Sequence, residues 1–384
     1  MTTLFDERTT THDDTDCGPI FRSPSEHTME GPYSARFPLS PTGEKSRRAP
    51  VFRRTAKDRT RSASGVTTMD GDPQFAHRPV MLDEVVATFA PVPAGTVIDA
   101  TLGGGGHAAA LLTAHRHLQV VGIDQDADAR RAAGARLEPF GSRARIVAAR
   151  FDALAEVAAS IDGPVVGVLF DLGVSSHQLD TAERGFSYRL DAPLDMRMDT
   201  SRPLDAATVV NTYDVAALTS LLRTYGDERY ASRIAAAIVA ARPVRTTGEL
   251  ADLVRASIPA PARRTGGNPA KRTFQAIRIE VNDEFGALRT ALDAALDVVA
   301  VGGRVAVLSY HSGEDRIVKQ AFRSAETGDC TCRADLPCAC GAMRRVRLVS
   351  RGGRTPSSEE LAQNRRAESA RLRVAERIEP EAVR

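Results

Sequence analysis

Tryptophan is absent from the 384 residues and aromatics together make up only 5%. That argues against a binding surface built mainly on ring stacking. Strong charge of either sign is also missing, since 51 Lys and Arg against 49 Asp and Glu leave a formal net charge of +2. Near-neutrality does not exclude a nucleic-acid partner, because local clustering of Arg and Lys decides that. No apolar run reaches the ~18 residues needed to cross a bilayer. The opening residues, MTTLFDERTT, lack the basic segment and apolar stretch of a secretory signal. Asp6, Glu7, Asp13, Asp14 and Asp16 count equally against a transit peptide. A cytoplasmic protein without membrane association is expected. Cysteine is scarce as well: Cys17 stands alone, and Cys330, Cys332, Cys338 and Cys340 fall within eleven residues. Clustered thiols in a cytosolic chain point to metal before disulfides.

What is present suffices for a substantial core, with 42% hydrophobic residues. Residues 1–74 are rich in Thr, Ser, Pro, Arg and Asp, show no apolar periodicity, and are expected to form a disordered extension. Residues 80–89 have helical spacing and stop before Pro91. Three short apolar runs follow at 96–100, 119–123 and 164–170, each leading into a turn and an Ala-rich helical stretch. Such alternation predicts an α/β domain with a parallel sheet covered by helices. It breaks over 181–275, which reads as an all-helical insertion dividing the α/β domain into 75–180 and 276–384. Within the insertion, Asp227 to Arg242 is expected to be one amphipathic helix ended by Pro243. Thr246 and Glu249 form a capping-box pattern. Asn268-Pro269 is expected to open a helix running through Phe285. A strand returns at 304–310 after Gly302-Gly303, and the segment 341–384 carries 11 Arg and 6 Glu.

The turn after the first strand contains Gly103, Gly104, Gly105 and Gly106. Consecutive glycines let the backbone approach a ligand closely and take φ > 0. This turn of a doubly wound sheet is where nucleotide ligands lie. Asp124 ends the second strand, about 20 residues past the loop, where an acid can accept hydrogen bonds from ribose hydroxyls. Gly103-x-Gly105-x-x-Ala108 also fits a relaxed dinucleotide fingerprint, so an NAD(P)-dependent oxidoreductase stays in view. Asp99 weighs against it, because a carboxylate there repels pyrophosphate but pairs with a cationic aminoacyl group. S-adenosylmethionine is the cofactor so favoured. After the third apolar strand, Asp171 stands at the ligand-binding edge, with Ser175, Ser176 and Gln178 on the following loop.

These residues lie in longer motifs: VIDATLGGGGHAAAL, residues 170–199 from FDLGVSSHQLD to DMRMD, TYGDERYASRIAAAIV, RTFQAIRIEVNDE and LSYHSGEDRIVK. In this order they resemble the bacterial family of 16S rRNA cytosine-N4 methyltransferases over roughly residues 75–380. The resemblance implies a class I, Rossmann-like S-adenosylmethionine methyltransferase sheet with the helical domain inserted between its fourth and fifth strands. It implies a cytidine in the decoding region of 16S rRNA, within the small ribosomal subunit, as the target, and no DNA substrate. Carried over to matching positions, Gly105, Gly106, His107, Asp124, Phe151, Asp171 and Gln178 bind the cofactor. Where the family usually has Ser-Phe-His-Ser-Leu-Glu-Asp-Arg, this chain has Tyr310 for Phe and Gly313 for Leu. The glycine is expected to loosen that loop.

The N4 lone pair of cytosine is delocalised into the ring, so an acceptor for an N4 proton would help the transfer. Asp171 is the first candidate, with Ser175 and Ser176 as neutral acceptors. Phe186 and Tyr188 either hold the base or pack the insertion. His311 either acts as a base or is a structural histidine at a strand end. Arg184, Arg189, Arg197, Arg263, Arg264, Lys271 and Arg272 are candidate phosphate contacts, or solvated charges. A non-catalytic RNA-binding or assembly factor is the rival outside the enzymes. Cys330-x-Cys332-x5-Cys338-x-Cys340 can bring four thiols to one tetrahedral structural zinc, or hold free thiols or two local disulfides.

Overall fold

A computed structural model describes residues 79–383, apart from 174–180, 264–267, 334 and 336–337. The expected disordered extension 1–74, and Ser175, Ser176, Gln178 and Arg264, lie outside the described residues.

The β-branched runs become the middle of a seven-stranded sheet. Four strands are parallel: β1 (Gly95–Asp99), β2 (Leu118–Asp124), β3 (Ala144–Ala148) and β4 (Val165–Asp171). β5 (Arg304–Ser309) continues them beside β4. β6 (Met343–Leu348) and β7 (Arg371–Ala382) form an antiparallel pair, with β7 against β5. The order is β3-β2-β1-β4-β5-β7-β6, the Rossmann-like α/β class expected. The chain reverses its direction of sheet growth between β1 and β4. A crevice opens at the carboxyl ends of the strands at such a point, and ligands bind there.

Period-two alternation sends neighbouring strand residues to opposite faces. Ile98, Val168, Phe170 and Val307 pack on one face, beneath helices α11 (Glu284–Val298) and α12 (Ser312–Thr327). Val97, Leu169, Leu308 and Leu372 pack on the other, beneath α1 (Leu82–Phe89) and α2 (Gly106–Ala114). Helices α3 (Ala127–Leu137) and α4 (Leu154–Ala159) complete the layers.

Between β4 and β5 the described helices are α5 (Ala206–Thr212), α6 (Val215–Gly226), α7 (Ala231–Ala240), α8 (Thr247–Ser257), α9 (Ala260–Arg263) and α10 (Lys271–Asn282), followed by α11. Leu218, Leu222, Ile234, Ile238, Leu250, Phe274 and Ile277 give these helices a core of their own. The capping box at Thr246 forms in both directions: Glu249 N–H donates to the Thr246 hydroxyl, and its carboxylate accepts from Thr246 N–H.

Two helix boundaries differ from the spacing. The helix expected from Asp227 starts at Ala231, because Asp227 takes φ 47° and ends α6. The helix expected through Phe285 breaks at Asp283, φ 50°, where α10 gives way to α11. Aspartate tolerates the left-handed region, so it can turn the chain where apolar periodicity runs on. Asn268 does not cap α10; its side chain accepts from Ala270 N–H in a turn preceding the helix.

Candidate active site

A cavity of about 620 Å³ opens at the crevice between β1 and β4. The glycine loop and Asp124 line one end, and Phe186, Tyr188 and Phe274 line another.

The loop geometry is set by its glycines. Gly105 has φ 73° and caps α2, and a Cβ there would lie 3.2 Å from the Ala133 Cβ on α3. Its lack of a side chain serves helix packing, while Gly103, Gly104 and Gly106 line the cavity. Asp124 is tied into the same loop. Its two carboxylate oxygens accept from Gly103 N–H and Asp126 N–H, each at 2.8 Å. Burial lifts Asp124 above the usual carboxylate range, against the pull of those two backbone donors. Phe151 lines the cavity and meets Phe170 edge-on at 6.2 Å.

Asp171 is the junction of the site. The Tyr310 hydroxyl donates to Asp171 Oδ1 at 2.6 Å. His107 Nε2 lies 3.4 Å from Asp171 Oδ2 without a hydrogen bond between them. His107 is 5% exposed, and its Nδ1 has no hydrogen-bond partner among the described residues. Burial opposes charge on this ring, but Asp171, Asp99 and Glu360 outweigh it and hold the pKa above the ordinary histidine value. Burial, then Asp171, drives Tyr310 well above the usual tyrosine range, so it stays a neutral donor.

Asp99 is buried behind this group and is not among the cavity-lining residues. Burial pushes it up to about 7, with His107 pulling down and Asp171 pushing up. The folded chain therefore holds a proton that the unfolded chain releases near 3.8. This contribution is complete below that pH and is lost as pH rises through about 7. His107, raised above 6.5, adds a loss in the same direction. Asp99→Asn should stabilise by about 1–2 kcal/mol at about pH 5 and by about 4 kcal/mol at about pH 8. Urea unfolding at both pH values measures this, and equal effects at the two would exclude Asp99 as the source.

His311 caps α12. Its Nδ1 accepts from Glu314 N–H at 3.3 Å, and its Nε2 lies 3.0 Å from Glu314 Oε1. Glu314 in turn accepts from Tyr310 N–H and His311 N–H. Burial opposes the Glu314 charge, but His311 and Arg278 hold its pKa below the usual range. Nδ1 is used by the cap, while Nε2 is buried beside the Glu314 carboxylate without a hydrogen-bond partner among the described residues. Gly313 does not loosen this turn. It lies in the first turn of α12 where a Cβ would fall 2.5 Å from Phe285 Cζ, so the Phe285 ring fills the space.

The aromatic end packs the insertion and lines the cavity. Phe186 is buried in the helical core yet reaches the cavity wall, and Tyr188 stands edge-on to Phe274 at 5.8 Å. Among the basic candidates, Arg184 donates to Asp126 and to the Arg197 and Met198 carbonyls. Arg197 pairs with Asp195 and binds the Thr200 and Arg202 carbonyls. These two hold loop 182–202 together. Arg263 and Arg272 each donate to a backbone carbonyl, whereas Arg189 and Lys271 are exposed, Lys271 at the cavity.

Sequence reasoning gave Tyr310 no role and overlooked Gln363, Asn364, Glu368 and Ser369, which line the cavity from the C-terminal segment. Tyr310 was legible as a departure from the family pattern. The C-terminal residues carry no local signal.

A model of the MraW methylase family matches residues 74–378. The chain belongs to this family. Ribosomal RNA small subunit methyltransferase H of Frankia alni is 54% identical over 314 residues, covering 79% of this chain and 96% of that protein. The protein of that name from Symbiobacterium thermophilum is 51% identical over 311 residues, covering 79% and 98%. The one from Nocardioides sp. is 54% identical over 310 residues, covering 79% and 97%. The MraW methylase match spans both the glycine loop and the helices between β4 and β5.

Proposed function

We propose that this MraW-family chain methylates the N4 amino group of a cytidine in the decoding region of 16S rRNA, within the small ribosomal subunit, using S-adenosylmethionine. The observation that carries the reading is Asp171, whose carboxylate sits between the glycine loop and an aromatic wall in one cavity. The names of the relatives supply the substrate class. A methylase family gives no support to the NAD(P) reading of the glycine loop; that reading requires thermal stabilisation by NAD and none by S-adenosylhomocysteine.

The residues present fit the cofactor. His107 offers a buried, unpartnered Nδ1 at the cavity wall. Gly106 and His107 would hold the aminoacyl end, with Asp99 buried behind them. Asp124 would take the ribose and Phe151 the adenine, with Gln178, outside the described residues, completing the set. S-adenosylmethionine, when bound, supplies an activated methyl group on a sulfonium. The chain's own work is positioning and proton removal. Phe186, Tyr188 and Phe274 confine the base, and Asp171 accepts the N4 proton as the N4–methyl bond forms. Ser175 is the neutral alternative acceptor. His311 shapes this end of the site by fixing the start of α12. The four cysteines take no part.

Tyr310 is assigned to orienting Asp171. Tyr310→Phe removes one hydrogen bond and leaves the carboxylate, so kcat should fall about three- to tenfold with cofactor affinity little changed. An unchanged kcat would leave the hydroxyl without a role.

The deciding experiment is transfer of labelled methyl to small subunits lacking the modification, with naked rRNA, tRNA and DNA in parallel. Label on one cytidine of the subunit is expected. Label on DNA or tRNA alone would overturn the substrate. No label anywhere, with cofactor binding intact, would favour an RNA-binding assembly factor.

A further inference from the structure

Loop 328–342 joins α12 to β6, and none of its described residues is in a helix or strand or is buried. Connections of this length need something to hold them, and no apolar core does so here. What the loop contains instead is all four clustered cysteines.

Their sulfurs converge. The Sγ atoms of Cys330 and Cys338 are 3.4 Å apart, those of Cys338 and Cys340 3.3 Å, and those of Cys340 and Cys330 3.6 Å. All four sulfurs lie within 4.8 Å of one another. A disulfide brings two sulfurs to about 2.05 Å and turns the pair away from its neighbours. Four sulfurs around zinc at about 2.3 Å stand about 3.8 Å apart. The observed set is close to the second arrangement and far from the first.

Backbone donors complete the cage. Cys332 N–H faces the Cys330 sulfur, Ala339 and Cys340 N–H face that of Cys332, and Cys340 and Ala342 N–H face that of Cys338. Amide donors aimed at sulfur favour thiolates and orient metal ligands.

We propose that Cys330, Cys332, Cys338 and Cys340 bind one zinc ion. Four protein thiolates leave no open coordination position, so the site is structural. It ties the end of α12 to the start of β6, and so fixes the outer edge of the sheet. Tetrahedral sulfur also suits iron, which the test separates.

The test uses the full chain purified without chelator. Elemental analysis should find about one zinc per chain after dialysis, with four thiols protected from a thiol reagent until the metal is removed. Cobalt(II) exchanged into the protein should give tetrahedral d–d bands and thiolate charge-transfer absorption. Cys338→Ser and Cys340→Ser should each lower zinc content at least about tenfold and remove those bands. Iron in place of zinc, two disulfides by mass spectrometry, or four reactive thiols with no metal would each overturn the proposal. The cobalt measurement on the unaltered chain decides the matter even where a cysteine variant fails to fold.

Discussion

Asp171→Asn should lower methyl transfer at least about a hundredfold, the lower range for loss of a proton acceptor, while S-adenosylhomocysteine still binds. Asparagine keeps the shape of the side chain and can still accept from the Tyr310 hydroxyl, now 2.6 Å from Asp171 Oδ1. It cannot take a proton from N4. Asp171→Ala should be at least as inactive, and less stable, because Tyr310 and His107 then face an empty pocket with no acceptor. Labelled-methyl transfer to small subunits measures the rate, and a thermal shift with S-adenosylhomocysteine measures cofactor binding. A full rate in Asp171→Asn would remove this residue as acceptor and move the role to Ser175 or Ser176.

Asn282→Ala should destabilise the fold by about 2–4 kcal/mol, from the cost of leaving buried hydrogen-bonding groups unpaired. Asn282 is 4% exposed at the end of α10. Its Oδ1 accepts from Met198 N–H at 2.8 Å, and its Nδ2 donates to the Met196 and Arg278 carbonyls at 2.8 and 2.9 Å. The same residue's carbonyl accepts from Arg150 and Arg202. One side chain thus fastens loop 182–202, which carries Met198 to the cavity wall, to the α10–α11 break. Urea unfolding measures the loss. A change below about 0.5 kcal/mol, the usual effect of a surface substitution, would show that the loop is held by Arg184 and Arg197 instead.

Much of this protein was legible from its sequence. The runs at 96–100, 119–123 and 164–170 became β1, β2 and β4 because β-branched residues buried on both faces suit a central parallel strand. The glycine loop and the family resemblance rest on local chemistry at close spacing, and the family match covers 74–378. Strand β7 was not legible. Arg371, Arg373, Glu376 and Arg377 obscure its pattern, and a charged strand reads as a solvated segment. Its charges are tolerated because Arg373 pairs with Asp315, and Glu376 with Arg304 and Arg347, partners distant in sequence.

The sequence by itself determined strands β1, β2, β4 and β5, the capping box at Thr246 and the family, since each depends on residue type within a few positions. Only tertiary structure decided that Tyr310 grips Asp171 and that His311 caps α12 through Nδ1. It also decided that Arg184 and Arg197 turn inward and that four cysteines share one point in space. Hydrogen bonds and ion pairs between segments depend on distance and direction in three dimensions, and spacing along the chain carries neither.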